Sequence, residues 1–276
     1  GSGYLRILLW LNKRLKNQFT RKNYLHKRFD SFRKMKIKKV LLTTSLLTIS
    51  LITLSGCSFH LFTNKNSGPT IKRTLSSKKF NSLKVASDIT DVELHASNQY
   101  KVIYHGLKRF KPSVNVKNGQ LKITQTSNGV SYNIKEGNTV AIYLPAKELQ
   151  NININLSDGD IDADGKVQAK NVKLHSDDGD VNFDDLRISS GKITSDDGDI
   201  SVSNLLTRKG ATVESDDGDI RIRKSNASGY RLTSDDGDVT FKGDTSDNDD
   251  GGSYYKNTKS SNLLSAHSDD GDVNVN

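Results

Sequence analysis

Apolar and polar residues alternate in short runs through the second half of the chain, and the runs flank a recurring Ser-Asp-Asp-Gly-Asp sequence. The last inward apolar position before the motif and the first one after it lie seven residues apart, as in the pairs 154/161, 174/181, 193/200, 213/220, 232/239 and 266/273. A straight strand has a period of two, so an odd offset would turn one of the two runs outward. The pattern therefore predicts a bulge, corner or tight turn in each motif that keeps both runs facing one core.

The motif recurs at a nearly constant spacing of 20, 19, 20 and 19 residues, followed by a gap of 34. Its glycines, which we predict to form structural turns because Gly accepts positive φ, are Gly159, Gly179, Gly198, Gly218, Gly237 and Gly271. A fixed period of about 20 residues is typical of a solenoid, in which each repeat forms one rung and buries its apolar face against the next. We therefore predict an all-β fold, a single-stranded, β-helix-like β-solenoid over residues 151–276. A chain of Asp-Gly hairpins in a barrel or sandwich is the alternative.

Residues 80–150 lack the motif but show short alternating apolar runs, and they predict an N-terminal β part that precedes the solenoid. Residues 244–260 lengthen the last repeat and are expected to form an inserted loop. The sequence ends just past a predicted strand without an obvious cap. We therefore expect an open edge at this end, with the capacity to pair with a partner strand.

Residues 35–56 have the composition of a secretory signal peptide. Three lysines between positions 36 and 39 precede an apolar run over residues 40–54, and small residues follow. The sequence Leu54-Ser55-Gly56-Cys57 resembles the lipobox of bacterial lipoproteins. This resemblance implies that a signal peptidase recognises Leu54, Ser55 and Gly56, cleaves before Cys57, and leaves a lipid on the thiol. A transmembrane anchor is the alternative, although the run is at the lower limit of length for a span.

Met35 is the only methionine and directly precedes this signal, so we expect translation to begin there. Residues 1–34 would then be an over-extended reading frame, and a basic amphipathic leader at the inner membrane face is the alternative. Residues 57–79 are polar and predict a flexible tether. Cys57 is the only cysteine, which excludes an internal disulfide and leaves lipidation as a role for the thiol.

The net charge of +9 belongs to the whole chain and changes sign once the leader is removed. Residues 1–56 carry 13 Lys and Arg and one acidic residue, which leaves 28 basic and 31 acidic residues, a net charge of −3. Residues 57–149 have a net charge of +9 and residues 150–276 a net charge of −12. A basic isoelectric point suggests nucleic acid, but an exported chain favours a membrane surface or an anionic wall polymer as the partner of its basic half.

Stacked repeats would place like aspartates in columns. The three predicted columns contain Asp177, Asp196, Asp216, Asp235; Asp178, Asp197, Asp217, Asp236; and Asp180, Asp199, Asp219, Asp238, with the last motif copy adding one residue to each. Two carboxylates about 5 Å apart repel by roughly 1 kcal/mol in water. Backbone N–H groups in the turns, solvent screening or Ca²⁺ between rungs would each relieve this repulsion. Ca²⁺ is accordingly the one cofactor considered, with these aspartates as its ligands.

No catalytic motif is evident. The histidines past the predicted cleavage site show no metal-ligand spacing, and neither a Gly-x-Ser-x-Gly sequence nor a phosphate loop occurs. A pair of carboxylates could cleave a glycosidic bond, but such a pair needs two unlike environments, whereas the repeats supply equal ones. We therefore expect a protein that is not an enzyme, with a polysaccharide-acting β-helix as a remote alternative.

The repeated Ser-x-Gly-Asp-Ile/Val sequence, together with Tyr143-Leu144-Pro145 just before the repeats, resembles a bacterial family of candidate adhesins, a domain of unknown function built from β-strand repeats. The resemblance covers residues 80–276 and implies a β-solenoid-like domain on an exported or membrane-anchored protein, without catalytic residues. We therefore expect a lipoprotein on the outer face of the bacterial cell membrane that binds or senses a wall polymer, an envelope protein or a host surface, and no nucleic acid. A Ca²⁺-dependent structural stalk is the alternative.

Overall fold

The computed structural model describes residues 68–127, 137–246 and 251–276 of the chain. The predictions for residues 1–56 and for Cys57 lie outside these ranges. The described residues form the strands β1 (Thr70–Ser76), β2 (Ser82–Ser87), β3 (Asp91–Ser97), β4 (Lys101–Leu107), β5 (Ser113–Lys117), β6 (Gln120–Gln125), β7 (Thr139–Pro145), β8 (Leu149–Leu156), β9 (Ile161–Ser176), β10 (Val181–Ser195), β11 (Ile200–Val202), β12 (Leu205–Thr207), β13 (Ala211–Ser215), β14 (Ile220–Ile222), β15 (Gly229–Ser234), β16 (Val239–Phe241), β17 (Asp244–Ser246), β18 (Ser253–Lys256), β19 (Leu263–Ser268) and β20 (Val273–Val275), with one 3₁₀ turn at Lys108–Phe110. Within these ranges, no helix has the length and apolar character needed to cross a membrane.

The strand β10 illustrates how one rung is built. Residues 181–183 pair in parallel with β9 and β11, residues 186–188 with β9 and β12, and residues 191–195 with β9 and β13. Each complete rung therefore has three sides, and the Ser-Asp-Asp-Gly-Asp motif forms the corner between the third side of one rung and the first side of the next. The predicted all-β solenoid is confirmed.

The apolar residues on both sides of the motif point into one core, as the odd offset predicts. All twelve positions that define the offset are at most 1% exposed; they are Ile154, Ile161, Leu174, Val181, Ile193, Ile200, Val213, Ile220, Leu232, Val239, Ala266 and Val273. The motif corner restores the inward face after an odd number of residues. Both runs can therefore contribute to the hydrophobic driving force.

The rungs do not stack in the order of the sequence. The last repeat places β19 between β13 and β15, and β20 between β14 and β16, with all four pairings parallel. The motif copy that starts at Ser268 therefore lies between the copies at Ser215 and Ser234. The C-terminal strand is an interior strand, so the expected open edge at this end of the chain is wrong.

The N-terminal β part repeats this arrangement at the other end. The strand β2 lies between β6 and β8, and β3 lies between β7 and β9, again in parallel. The described residues of this part, 80–127 and 137–150, therefore belong to the same stack and share its core with the repeats. At both ends, a rung that comes first or last in the sequence is enclosed by rungs formed from more central segments.

Antiparallel strands cover both ends of the stack. At one end β5 pairs with β6, and β4 and β1 follow β7; at the other end β18 pairs with β15 and β17 pairs with β16. The predicted inserted loop at 244–260 thus supplies two capping strands. Of the predicted tether at 57–79, residues 57–67 lie outside the described ranges, and residues 70–76 form β1, whose Ile71 and Leu75 pack against the core.

Candidate binding site at the motif corners

The buried half of each corner is a serine and glycine network that links successive rungs. The hydroxyl of Ser195 accepts a hydrogen bond from the N–H of Gly198 at 3.1 Å and donates to the carbonyl of Gly179 in the neighbouring rung at 2.8 Å. The copies at Ser215, Ser234 and Ser268 make the same two bonds. These four serines are at most 4% exposed. Each hydroxyl therefore satisfies buried backbone groups whose burial without a hydrogen bond would cost stability.

The motif glycines serve close approach between rungs. A Cβ atom at Gly179, Gly198, Gly218, Gly237 or Gly271 would overlap the backbone carbonyl of the motif glycine in the adjacent rung. None of these five residues has positive φ. The expected reason for glycine, a left-handed turn conformation, is therefore wrong for these copies, and the missing side chain itself is what the stack requires.

The third aspartate of each copy joins a continuous ladder. One carboxylate oxygen of Asp180 accepts the backbone N–H of Asp199 at 2.8 Å, and Asp199 accepts that of Asp219 at the same distance. The ladder runs in both directions from there, through Asp91, Asp160, Asp272 and Asp238. This column relieves its like-charge repulsion through backbone donors, one of the three alternatives considered from the sequence.

The first two aspartates of each copy form an outer surface that we call the aspartate ledge. In stacking order its residues are Asp177 and Asp178, Asp196 and Asp197, Asp216 and Asp217, Asp269 and Asp270, and Asp235 and Asp236. Burial, followed by repulsion from Asp196 and Asp269, raises the pKa of Asp216 in the middle of the ledge. The ledge therefore places acidic residues on successive rungs, whose backbones lie about 4.8 Å apart.

Two histidines, His175 and His267, lie against the ledge. His175 Nε2 lies 2.8 Å from Asp177, and His267 Nε2 lies 2.9 Å from Asp269. Each pair has a further carboxylate from the following rung of the stack, Asp196 for the first and Asp235 for the second, with all three ligand atoms within 4.8 Å of one another. The spacing of the histidines in the sequence does not predict these two groups, because each group combines residues from two rungs.

A second acidic surface, the acidic groove, lies on the side of the stack that follows the corner. It is an open groove of about 570 Å³ whose acidic lining residues are Glu93, Asp162, Asp164 and Asp184. His95 bridges two of them, with Nε2 3.1 Å from Glu93 and Nδ1 3.0 Å from Asp164. Burial and then neighbouring carboxylates, chiefly Asp160, raise the pKa values of Asp91 and Asp162 beside this groove.

The opposite sign of charge is concentrated at the N-terminal end of the stack. Exposed Lys and Arg side chains occur on β1, β5 and β6 and beside the 3₁₀ turn; we call Lys72, Arg73, Lys108, Lys111, Lys117 and Lys122 the basic cap. The chain enters the stack here, because the carbonyl of Pro69 accepts the N–H of Lys108 at 2.9 Å. The described structure therefore has a basic end next to the chain entry and acidic surfaces along the repeats.

Comparison with known proteins places this fold in a family of unknown function. The family model Toastrack DUF4097 matches residues 80–276. None of the curated proteins compared with the chain matches it. Among solved structures, a candidate cell adhesion protein from Clostridium sporogenes is similar, with 16% identity, a TM-score of 0.44, and coverage of 75% of this chain and 98% of the other. A candidate lipid-binding protein from Parabacteroides distasonis has 14% identity, a TM-score of 0.37 and coverages of 76% and 98%.

Proposed function

The chain belongs to the Toastrack DUF4097 family, and from its geometry we propose that it is a non-enzymatic, lipid-anchored binding module of the bacterial cell envelope. One observation carries this proposal: the basic cap lies at the end of the stack where the chain enters, and the acidic surfaces lie along the repeats. A module tethered through Cys57 would then direct its basic end toward the membrane and its carboxylates away from it.

The length of the chain between Cys57 and β1 is compatible with this orientation. Twelve residues lie between Cys57 and Thr70, and the thirteen steps of an extended chain span at most about 3.6 Å each, or about 47 Å in total. A lipid on Cys57 would therefore keep the basic cap within reach of the bilayer. Anionic lipids attract such a cap by roughly 1 kcal/mol for each Lys or Arg near the surface, so cap and lipid together supply the two signals that stable anchoring requires.

The aspartate ledge and the acidic groove are the surfaces offered to a partner. The backbone that carries these aspartates and glutamates is held by a fully packed core, so the spacing of the residues along the stack is set before a partner binds. An array of carboxylates at regular spacing fits a partner with a repeating or extended basic surface, such as an envelope protein or a host surface protein. Adhesion or sensing would follow from that contact, and neither requires a catalytic group.

The anchoring step is tested by expressing the full chain in a bacterium that processes lipoproteins. We expect the mature protein to begin at Cys57, to carry added lipid mass in intact-mass spectrometry, and to fractionate with the membrane. Protease added to intact cells whose outer membrane is absent or permeabilised should degrade it. The variant Cys57→Ser should lose both the lipid and the cleavage, whereas the neighbouring control Ser58→Ala should behave as the wild type.

Two results would contradict the proposal. A mature protein that begins elsewhere and carries no lipid would remove the anchor. A lipidated protein that resists external protease, although a known surface lipoprotein in the same cells is degraded, would remove the outward orientation.

A further inference from the structure

We propose that the aspartate ledge carries two matching sites for a first-row divalent transition metal ion, with Zn²⁺ as the reference ion. The first site consists of His175, Asp177 and Asp196, and the second consists of His267, Asp269 and Asp235. Neither site depends on the lipid anchor or on a protein partner. The remaining coordination positions face solvent, since the side chains of Asp177 and Asp269 are 47% and 56% exposed.

The hydrogen bonds around His175 orient its ring as a metal ligand. The hydroxyl of Thr194 lies 3.2 Å from the carbonyl of Leu174 and 2.9 Å from Nδ1 of His175. When it donates to Leu174, its oxygen accepts the Nδ1–H of the His175 tautomer that leaves Nε2 unprotonated. Nε2 of the same ring then faces a carboxylate oxygen of Asp177 at 2.8 Å. In this tautomer Nε2 and the carboxylate oxygen are both acceptors, so a proton or a metal ion must lie between them. Histidines that bind metals usually donate their other N–H to an oxygen in this way.

The second site repeats the contacts of the histidine ring. His267 Nδ1 lies 2.9 Å from the hydroxyl of Thr233, and its Nε2 lies 2.9 Å from Asp269. In both sites the histidine stands immediately before the buried motif serine, and the following rung of the stack supplies threonine at the same position and aspartate two residues later. The repetition includes the orienting threonine as well as the ligands.

The two sites arise from opposite orders in the sequence. Thr194 follows His175 by 19 residues, whereas Thr233 precedes His267 by 34 residues. The arrangement matches only because the last repeat is inserted between the two preceding ones. If neighbouring repeats stacked in sequence order, His267 would not pair with Thr233. The observed stacking order therefore places one histidine, two aspartates and one threonine together at both sites.

The ligand set favours a transition metal over Ca²⁺. Ca²⁺ takes six to eight oxygen ligands, whereas one imidazole and two carboxylates, completed by water, suit Zn²⁺, Co²⁺ or Ni²⁺. The ligand atoms are already within 4.8 Å of one another, so rotation of the exposed carboxylates is enough to bring them to a common ion. Glu214 takes the histidine's position in the rung between the two sites, which therefore lacks the nitrogen ligand.

Calorimetric titration of the metal-free full chain in detergent with ZnCl₂ tests the proposal, with CaCl₂ in a parallel titration. We expect two equivalents of Zn²⁺ to bind to the wild type, one to His175→Ala, one to His267→Ala and none to the double variant. The control His105→Ala removes an exposed histidine on β4 and should retain both equivalents. Unfolding of each variant in EDTA should match the wild type, which shows that the loss concerns binding.

The variant Thr194→Val separates an orienting role from a structural one. It keeps all three ligands of the first site, and we expect 10- to 100-fold weaker binding at that site with the second unchanged. An absence of Zn²⁺ binding to the wild type would overturn the proposal and leave a proton between each histidine and its aspartate. Two equivalents in the double variant would also overturn it, as would Ca²⁺ binding that equals Zn²⁺ binding and persists without the histidines.

Discussion

The N-terminal rung and the repeat rungs form the same corner with different residues. In the repeats, a buried serine and a glycine link each corner to the next. In the N-terminal rung, Ser87-Asp88-Ile89-Thr90-Asp91 occupies the same place, because the carbonyl of Thr90 lies under Gly159 as that of Gly159 lies under Gly179. This segment is a seventh copy of the corner that the motif pattern does not reveal.

The two kinds of corner differ in the groups that satisfy their backbone. A motif glycine must accommodate the backbone carbonyl of the neighbouring rung. At the N-terminal corner, Oε1 of Gln125 accepts the hydroxyl of Ser87 at 2.8 Å and the N–H groups of Asp88 and Ile89 at 3.2 Å each. The repeats therefore use a serine and a glycine at this place, whereas the N-terminal corner uses one amide side chain.

The largest expected effect comes from deleting residues 263–276. In a solenoid that stacks in sequence order, loss of the last repeat removes one rung. Here it removes the parallel partners of β13, β14, β15 and β16 together, so we expect loss of cooperative unfolding by circular dichroism. A synthetic peptide of residues 261–276, added in trans, should restore the transition. A truncated protein that still melts cooperatively, only a few degrees lower, would contradict the enclosed position of this rung.

Gly198→Ala tests the close approach between the motif glycines of neighbouring rungs. The new Cβ would overlap the carbonyl of Gly179, a backbone atom that moves only if two rungs separate. We expect a loss of about 3 kcal/mol or more in the free energy of unfolding by urea denaturation. The control Gly137→Ala, where a Cβ would meet only the side chain of Asp91 at 3.2 Å, should cost far less. Equal losses of unfolding free energy in the two variants would show that the motif glycines are required for another reason.

Gln125→Leu tests the hydrogen bonds of the N-terminal corner. It removes the acceptor of three donors in a buried corner, and we expect a loss of about 2–3 kcal/mol. Ser215→Ala in the repeats disturbs only two hydrogen bonds and should cost about 1–2 kcal/mol. Gln120→Leu, on the exposed face of the same strand, is the control and should stay within about 0.5 kcal/mol. A smaller loss of unfolding free energy for Gln125→Leu than for Ser215→Ala would contradict the role of Gln125 as the acceptor that satisfies this corner.

The sequence predicted the local structure well and the connectivity of rungs poorly, for a physical reason. The alternation around each motif reports which residues face the core, and those positions are buried as predicted. A spacing of 34 between the last two motif glycines does not report which rungs are neighbours, because β19 would bury equivalent apolar positions in either place. The ligand sets that include His175 and His267 depend on stacking, and the second depends on the enclosed rung. Only the spacing of each histidine before a motif serine was visible in the sequence.

Asp162→Asn is expected to have the smallest effect and concerns the acidic groove shared by the two kinds of rung. Burial, then repulsion from Asp160, Glu93 and Asp164, raises the pKa of Asp162 above its usual 3.8, while Asn182 donates to its Oδ1 at 3.1 Å and opposes the rise. Because the folded pKa is raised, the stability that this carboxyl contributes is fully present below pH 3.8 and is lost as the pH rises through the folded pKa.

Asparagine at position 162 keeps the acceptor for Asn182 without the charge, so we expect a gain of about 0.5 kcal/mol in the free energy of unfolding at pH 7 that shrinks on acidification. Added salt should reduce the part due to neighbouring carboxylates and leave the part due to burial. Urea denaturation of both proteins between pH 3.5 and pH 7 measures the difference, and a gain that grows as the pH falls would contradict the assignment.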